Sequence, residues 1–317
     1  MKTPNVPVIN LETAISDKRQ IELLDSACRD HGFFILENHG MQKEIDSMWR
    51  LSKWFFSQDR EAKLKLSRSE NIPLGYFDRE LTKQKRDLKE VFDFMETRTD
   101  QDINQWPGEL AFKNSMEDFF SKSSEVAHQT LELILACLGL HENNYVHGDS
   151  KTSNARLNYY PINDPLNSLE KDTVNELGDM ALHHHTDPGI LTLLLQDMTG
   201  GLQARSKEFG WIDIPPEENS IVVNLGDAMQ VWTNDNYVAA IHRVLKRTSE
   251  PRYSTPFFFN PSRDSIIAPI PEISEPHANY RSFTWKEYIQ GRIDDNYKDL
   301  GQEDIQISKF KISHHPA

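Results

Sequence analysis

The period of the apolar positions changes along the chain. Over residues 18–31 they recur at helical spacing, with Ile21, Leu24, Ala27 and Cys28 on one stripe, which predicts an amphipathic helix. Gly32-Phe33-Phe34-Ile35-Leu36 follows as an unbroken apolar run too short for a helix, and predicts a buried strand. Pro4-Asn5-Val6-Pro7-Val8-Ile9 reads as a short opening strand. A second helical stripe covers 115–140, with Gly139 placed to end it.

Further on, the pattern shortens. Apolar, β-rich runs at 155–160, 191–196, 201–205, 221–225, 239–245 and 253–259 are separated by turn signals such as Asp187-Pro188-Gly189 and Thr199-Gly200-Gly201. Strands at this density predict a barrel or sandwich and not alternating βαβ units. After Pro271 the pattern returns to helix (284–291) and ends in a polar tail. The expected class is mainly β with flanking α. A mostly helical N-terminal region (1–150) packs on a β core (151–265), and a C-terminal helical extension and tail (266–317) completes one catalytic unit.

Composition narrows the partners. Hydrophobic residues make up 38% and charged residues 26% of the 317, which fits a globular chain with a sizeable core. Lys and Arg total 35 against 49 Asp and Glu, a net charge of −14. So acidic a surface repels phosphate backbones and anionic bilayers, so neither nucleic acid nor membrane is an expected partner. Cys28 and Cys137 sit in helical apolar contexts and read as reduced, buried thiols. The N-terminus lacks the apolar centre of a signal peptide, and no apolar run reaches the ~20 residues of a membrane span. A cytoplasmic location is the expectation.

The candidate chemistry begins at His185-Thr186-Asp187. In an extended segment alternate side chains share a face, so His185 and Asp187 point the same way. His184 points away, and His183 is a poor second choice. His242, in the strand-like run 239–245, is the candidate third ligand. Two imidazoles and one carboxylate on one face of a metal leave three positions open, which suits iron(II) binding a chelating co-substrate and O₂ together. Arg252 and Ser254 share a face of the last β run. A hairpin folded about Arg247 would set His242 nearly opposite Arg252, with Cβ atoms about 5 Å apart. An arginine so placed can grip the far carboxylate of a small diacid whose near end chelates the metal. Asn158 and Tyr160, in Asn158-Tyr159-Tyr160-Pro161, share a face and can both donate to a carboxylate; they fit equally a strand entering a proline turn.

With these features in order, the chain resembles the isopenicillin N synthase-like superfamily of iron(II)/2-oxoglutarate dioxygenases, to which plant gibberellin and flavonoid oxygenases belong. The matching stretches are RLNYYP (156–161), HHTDPGILTLLLQD (184–197), GGLQ (200–203), NLGDAMQVWTND (224–235), HRV (242–244) and RYSTPFFFNP (252–261). VPVINLE, HGFFILENHG and the late FTWKEYIQ…YKDLG look similar too. The resemblance implies a double-stranded β-helix (jelly-roll) core with His185, Asp187 and His242 on iron. It implies Arg252, Ser254 and Tyr160 on the distal carboxylate of 2-oxoglutarate, with Asn158 near its chelating end. Substrate would lie against Phe92, Phe94, Phe258 and Asn260, residues that serve as well for core packing. Plant members continue NYYP with Cys-Pro, whereas this chain has Ile162-Asn163-Asp164-Pro165.

The implied reaction consumes 2-oxoglutarate and O₂, releases succinate and CO₂, and hydroxylates, desaturates or cyclises a small metabolite, as in secondary metabolism, in an enzyme expected to act as a monomer. Two rivals stand beside it: an iron(II) oxidase of the same fold that does not use 2-oxoglutarate, and a non-catalytic small-molecule binding protein on this scaffold. A zinc hydrolase would want an adjacent general base or a histidine-richer shell.

Overall fold

The computed structural model describes residues 6–69, 72–82, 85–98, 102–140, 145–274, 276–297 and 305–313, with backbone alone at 293–297. Pro4 and Asn5 of the expected opening strand, and residues 298–301 of the late YKDLG motif, lie outside the described residues.

The stripe at 18–31 becomes α1 (Lys18–Asp30), started by Asp17, whose carboxylate accepts from the Arg19 amide at 2.9 Å. A helix outside those expected, α2 (Gln42–Phe56), follows, burying Ile45, Met48, Leu51 and Phe55. The short α3 (Arg60–Leu64) precedes the long α4 (Leu110–Cys137), after which Gly139 turns the chain with a φ of 73°. The remaining helices are α5 (Ser168–Lys171), α6 (Asp227–Trp232), α7 (Pro271–Ser274) and α8 (Trp285–Tyr297).

The strands of the N-terminal third are β1 (Val8–Asn10), β2 (Phe33–Glu37), β3 (Gly75–Phe77), β4 (Leu81–Thr82), β5 (Lys85–Arg86) and β6 (Glu90–Met95). The next are β7 (Asn154–Tyr160), β8 (Leu182–His185), β9 (Leu191–Gln196), β10 (Leu202–Ser206) and β11 (Gly210–Asp213). The last of the core are β12 (Ile221–Leu225), β13 (His242–Val244) and β14 (Arg252–Phe259). They build an eight-stranded sheet in the order β1-β2-β12-β9-β14-β7-β6-β3 and a four-stranded sheet in the order β11-β10-β13-β8. The chain of the core passes back and forth between the two sheets, which is the double-stranded β-helix. β1, β2, β3 and β6 come from the N-terminal third and widen the larger sheet.

Alternation along each strand sorts side chains into two compartments. On β9, Leu191, Leu193 and Leu195 join the core beneath the helices, while Thr192 and Leu194 face inward. Ala155, Leu157 and Tyr159 of β7 face outward, and Asn154, Arg156, Asn158 and Tyr160 line the space between the sheets. β14 does the same, with Phe257 and Phe259 outward and Arg252, Ser254 and Phe258 inward. A smaller cluster of Phe33, Ile35, Leu194, Val222, Leu202, Ala204 and Val244 closes the sandwich at one end. The interior beyond it stays open.

The expected hairpin between His242 and Arg252 does not exist. β13 pairs with β10 and β8 in the small sheet, whereas β14 pairs with β7 and β9 in the large one. The segment between them crosses from one sheet to the other, so Arg252 stands opposite Tyr160 and not His242. Both ends of the crossing rest on the β9–β10 turn. Leu245 donates its amide to Gly201 O at 2.9 Å, and Arg252 Nε donates to Gly200 O at 2.9 Å. Gly200 and Gly201 take φ of 77° and 89°, a left-handed pair that glycine alone adopts cheaply.

Candidate metal centre and its cavity

β8 ends at His185, and its partner across the small sheet is His242 on β13. The two rings are therefore opposed, with centroids 4.3 Å apart. Asp187 follows in a loop fastened by the start of α6. The amide of Asp227 donates to Asp187 O at 2.8 Å and that of Ala228 to Pro188 O at 3.2 Å. This approach depends on Gly226, since a Cβ there would lie 2.2 Å from Gly189 O.

One ligand atom from each of His185, Asp187 and His242 lies within 4.8 Å of the other two. Asp187 Oδ1 is 3.7 Å from His185 Nε2 and 3.8 Å from His242 Nε2. The outer nitrogens are engaged elsewhere. His185 Nδ1 lies 2.9 Å from His183 O, and His242 Nδ1 lies 3.0 Å from Ala240 O. A carbonyl can only accept, so each Nδ1 carries a proton and each Nε2 is the atom turned inward. Burial, with His242 alongside, pushes His185 down to about 3, so it stays neutral at physiological pH. Burial alone would raise Asp187, but His242, His185 and the 2.7 Å hydrogen bond from Thr192 Oγ1 to Oδ2 hold it below its ordinary value. Two imidazoles with Nε2 turned inward and one carboxylate, each oriented from behind, fit a divalent metal with open positions.

His183 was the second choice on this face; it instead lies 3.4 Å from Asp87 and 3.2 Å from Asp179. His184 is exposed and meets the edge of Trp211, as expected.

A cavity of about 550 Å³ opens beside the triad. At its inner end Arg252 is 1% exposed and lies 5.0 Å over the Tyr160 ring. Besides Gly200 O, it reaches Gln196 Oε1 at 3.4 Å, and its Nη1 has no hydrogen-bond partner among the described residues. Asn158 donates Nδ2 to Ser254 Oγ at 3.3 Å, leaving Asn158 Oδ1 unpartnered, and Asn224 Nδ2 is unpartnered too. An unpaired donor on a buried guanidinium is costly to leave so. A carboxylate laid against Arg252 and Ser254 would supply what is missing, in the same cavity that the triad lines.

The outer half of the cavity is walled by buried charges. Glu80 is within 2.8 Å of Arg68 Nη2, Lys89 Nζ and Arg156 Nη1. Asp93 takes Arg156 Nε at 2.6 Å and Arg68 Nη1 at 3.0 Å. Burial would raise Glu80, yet the three cations hold it well below the usual carboxylate range. Burial would lower Lys89, but Glu80 and Asp87 push it above its ordinary value.

Of the four substrate-contact candidates, Phe258 and Asn260 line the cavity and Phe92 and Phe94 do not. On β6 it is Asp93 and Met95 that face inward. Phe92 and Phe94 point to the opposite side, packed on Phe55, Phe112, Trp106 and Phe120. The assignment of those two to substrate is thereby corrected, because a strand cannot show adjacent odd and even positions to one face. Thr192, Asn224 and the Glu80–Arg156 cluster were missed. A signal for Asn224 was present: one amide inside the apolar strand Ile221–Leu225, set opposite Thr192 in register.

Comparison with known proteins agrees with this geometry. Residues 151–261 match the model of the 2OG-Fe(II) oxygenase superfamily, and residues 6–109 match that of the non-haem dioxygenase in morphine synthesis N-terminal region. 1-Aminocyclopropane-1-carboxylate oxidase 4 of Solanum lycopersicum is 34% identical over 297 residues, 90% of this chain and 89% of its own. Gibberellin 2-beta-dioxygenase 1 of Arabidopsis thaliana is 29% identical over 309 residues, 92% of this chain and 90% of its own. The crystal structure of a full-length Neurospora crassa protein in complex with alpha-KG is similar at a TM-score of 0.78 and 27% identity, over 91% of this chain and 96% of that one. The chain belongs to the 2OG-Fe(II) oxygenase superfamily, a family of oxidoreductases on the jelly-roll fold. Among the described residues no helix is long and apolar enough to cross a membrane.

Proposed function

We propose that this chain oxidises a small molecule with iron(II), 2-oxoglutarate and O₂, using His185, Asp187 and His242 to hold the metal. The observation that carries the reading is the convergence of three inward ligand atoms on one side of a cavity whose inner end holds Arg252 with an unpartnered Nη1. Arg252 and Ser254, with Tyr160 beneath the guanidinium, bind the distal carboxylate of 2-oxoglutarate, and Asn158 lies beside its chelating end. Iron(II) bound there supplies the oxidative decarboxylation to succinate and CO₂ and the oxidation of a substrate C–H bond.

The chain's own contribution is binding and orientation. Ala240 O and His183 O fix the imidazole tautomers, Thr192 fixes the carboxylate rotamer, and the apolar cluster around Leu194 and Val244 keeps water from the inner end. Phe258 and Asn260 face the space in which substrate would lie. Both cysteines are free thiols, which supports a reducing, cytosolic setting. The 34% identity to a protein named an oxidase supports a second reading, an iron(II) oxidase that does not use 2-oxoglutarate.

Asp187→Ala tests the metal assignment. It should reduce 2-oxoglutarate-dependent succinate release to background, and undiminished release would overturn it.

A further inference from the structure

The buried charges of the cavity wall are balanced among themselves, since Glu80, Asp87 and Asp93 pair with Arg68, Lys89 and Arg156. The mouth is different. Lys151, Arg263 and Lys286 line it, all three are exposed, and among the described residues their side chains make no ion pair or hydrogen bond. Their carboxylate neighbours in sequence, Asp149, Asp264 and Glu287, do not line the cavity.

Three segments far apart in sequence bring these cations to one rim, and backbone and side-chain bonds tie those segments together. Asp149 N donates to Asn260 O at 2.8 Å, and Thr152 Oγ1 donates to Pro261 O at 2.7 Å. Asn260 Nδ2 donates back to Thr152 O at 2.9 Å, and Lys286 N donates to Arg263 O at 3.0 Å. In a chain of net charge −14, three unpaired cations held around one opening attract anions where the rest of the surface repels them.

We infer that the primary substrate is an anion, a small molecule bearing a carboxylate or phosphate that docks on Lys151, Arg263 and Lys286 at the mouth. The rest of the molecule then enters past Asn260 and Phe258 toward the triad, so oxidation falls on a part remote from the anionic group. The inference rests on the function proposed above and names the substrate class of that same site.

The test loads the protein anaerobically with iron(II) and 2-oxoglutarate and confirms the metal-to-ligand charge-transfer band. Phenylacetate, phenyl phosphate and the neutral phenylacetamide are then titrated in, with binding read from the change in that band. The anions should bind more tightly than the amide. They should weaken by about tenfold in the Lys151→Ala/Arg263→Ala/Lys286→Ala variant, as three exposed ion pairs are lost, with the amide unmoved. Indistinguishable curves for anions and amide, flat ones included, overturn the inference, and so does an anion that binds the variant as tightly as the native chain. A band that never forms before any probe is added would instead overturn the proposed function, and this inference with it.

Discussion

Arg292, on the C-terminal helix α8, donates Nη2 to the backbone carbonyl of Thr186 at 2.7 Å, and Thr186 is the residue between the two ligands His185 and Asp187. The same guanidinium lies 3.8 Å from Asp227, which also accepts from Tyr288 at 2.6 Å. The last helix therefore braces the metal loop. Arg292→Ala should weaken iron(II) binding by about tenfold. Iron titration of the variant checks this, and unchanged affinity would confine Arg292 to packing.

Thr192→Val keeps the volume on β9 and deletes the 2.7 Å bond to Asp187 Oδ2. Removing a group that orients a metal-binding carboxylate costs roughly 10–100-fold in metal affinity. The variant should stay folded by circular dichroism and need correspondingly more iron(II) for half-maximal turnover; the native iron requirement would contradict the role given to Thr192.

Arg252→Ala should raise the concentration of 2-oxoglutarate needed, at a cost of about 2–5 kcal/mol, while iron still binds. Affinity for 2-oxoglutarate within about twofold of native, a difference well inside that cost, would remove Arg252 from that contact.

Glu80 couples stability to pH. Its folded carboxyl lies well below the ordinary 4.5, so its contribution is present above 4.5 and is lost as the pH falls below that value toward the folded one. Thermal melts should show a falling midpoint on the acid side, less steep in Glu80→Gln. That variant also leaves Arg68, Lys89 and Arg156 short of a buried counter-charge and should lose about 3–5 kcal/mol at neutral pH. A native midpoint in the variant would contradict both statements.

Much of the site was legible in the sequence because it depends on one short-range rule. Alternation along a strand placed His185 with Asp187, Arg252 with Ser254, and Asn158 with Tyr160. The last two pairs do share a strand face, while His185 and Asp187 converge although β8 ends at His185 and Asp187 lies in the loop after it. The distance between pairs was not legible. His242 and Arg252 were expected in one hairpin, yet the chain between them changes sheet, and which sheet a strand joins is decided by packing across the sandwich. Phe92 and Phe94 were misplaced for a related reason. β6 carries a buried carboxylate on each face, Glu90 paired with Lys63 on the helix side and Asp93 paired with Arg156 on the cavity side, so its pattern did not mark which face was outside. α2 carries its stripe of Ile45, Met48, Leu51 and Phe55 at a helical period that the sequence shows plainly.

The central claim is that the triad and Arg252 together hold iron and 2-oxoglutarate. Its most direct test adds iron(II) and then 2-oxoglutarate to the protein without O₂ and records the visible spectrum. A weak charge-transfer band that saturates with 2-oxoglutarate, and that Asp187→Ala lacks, is the predicted result. Iron binding with no band on adding 2-oxoglutarate would contradict it, leaving an oxidase that works without that co-substrate as the better account.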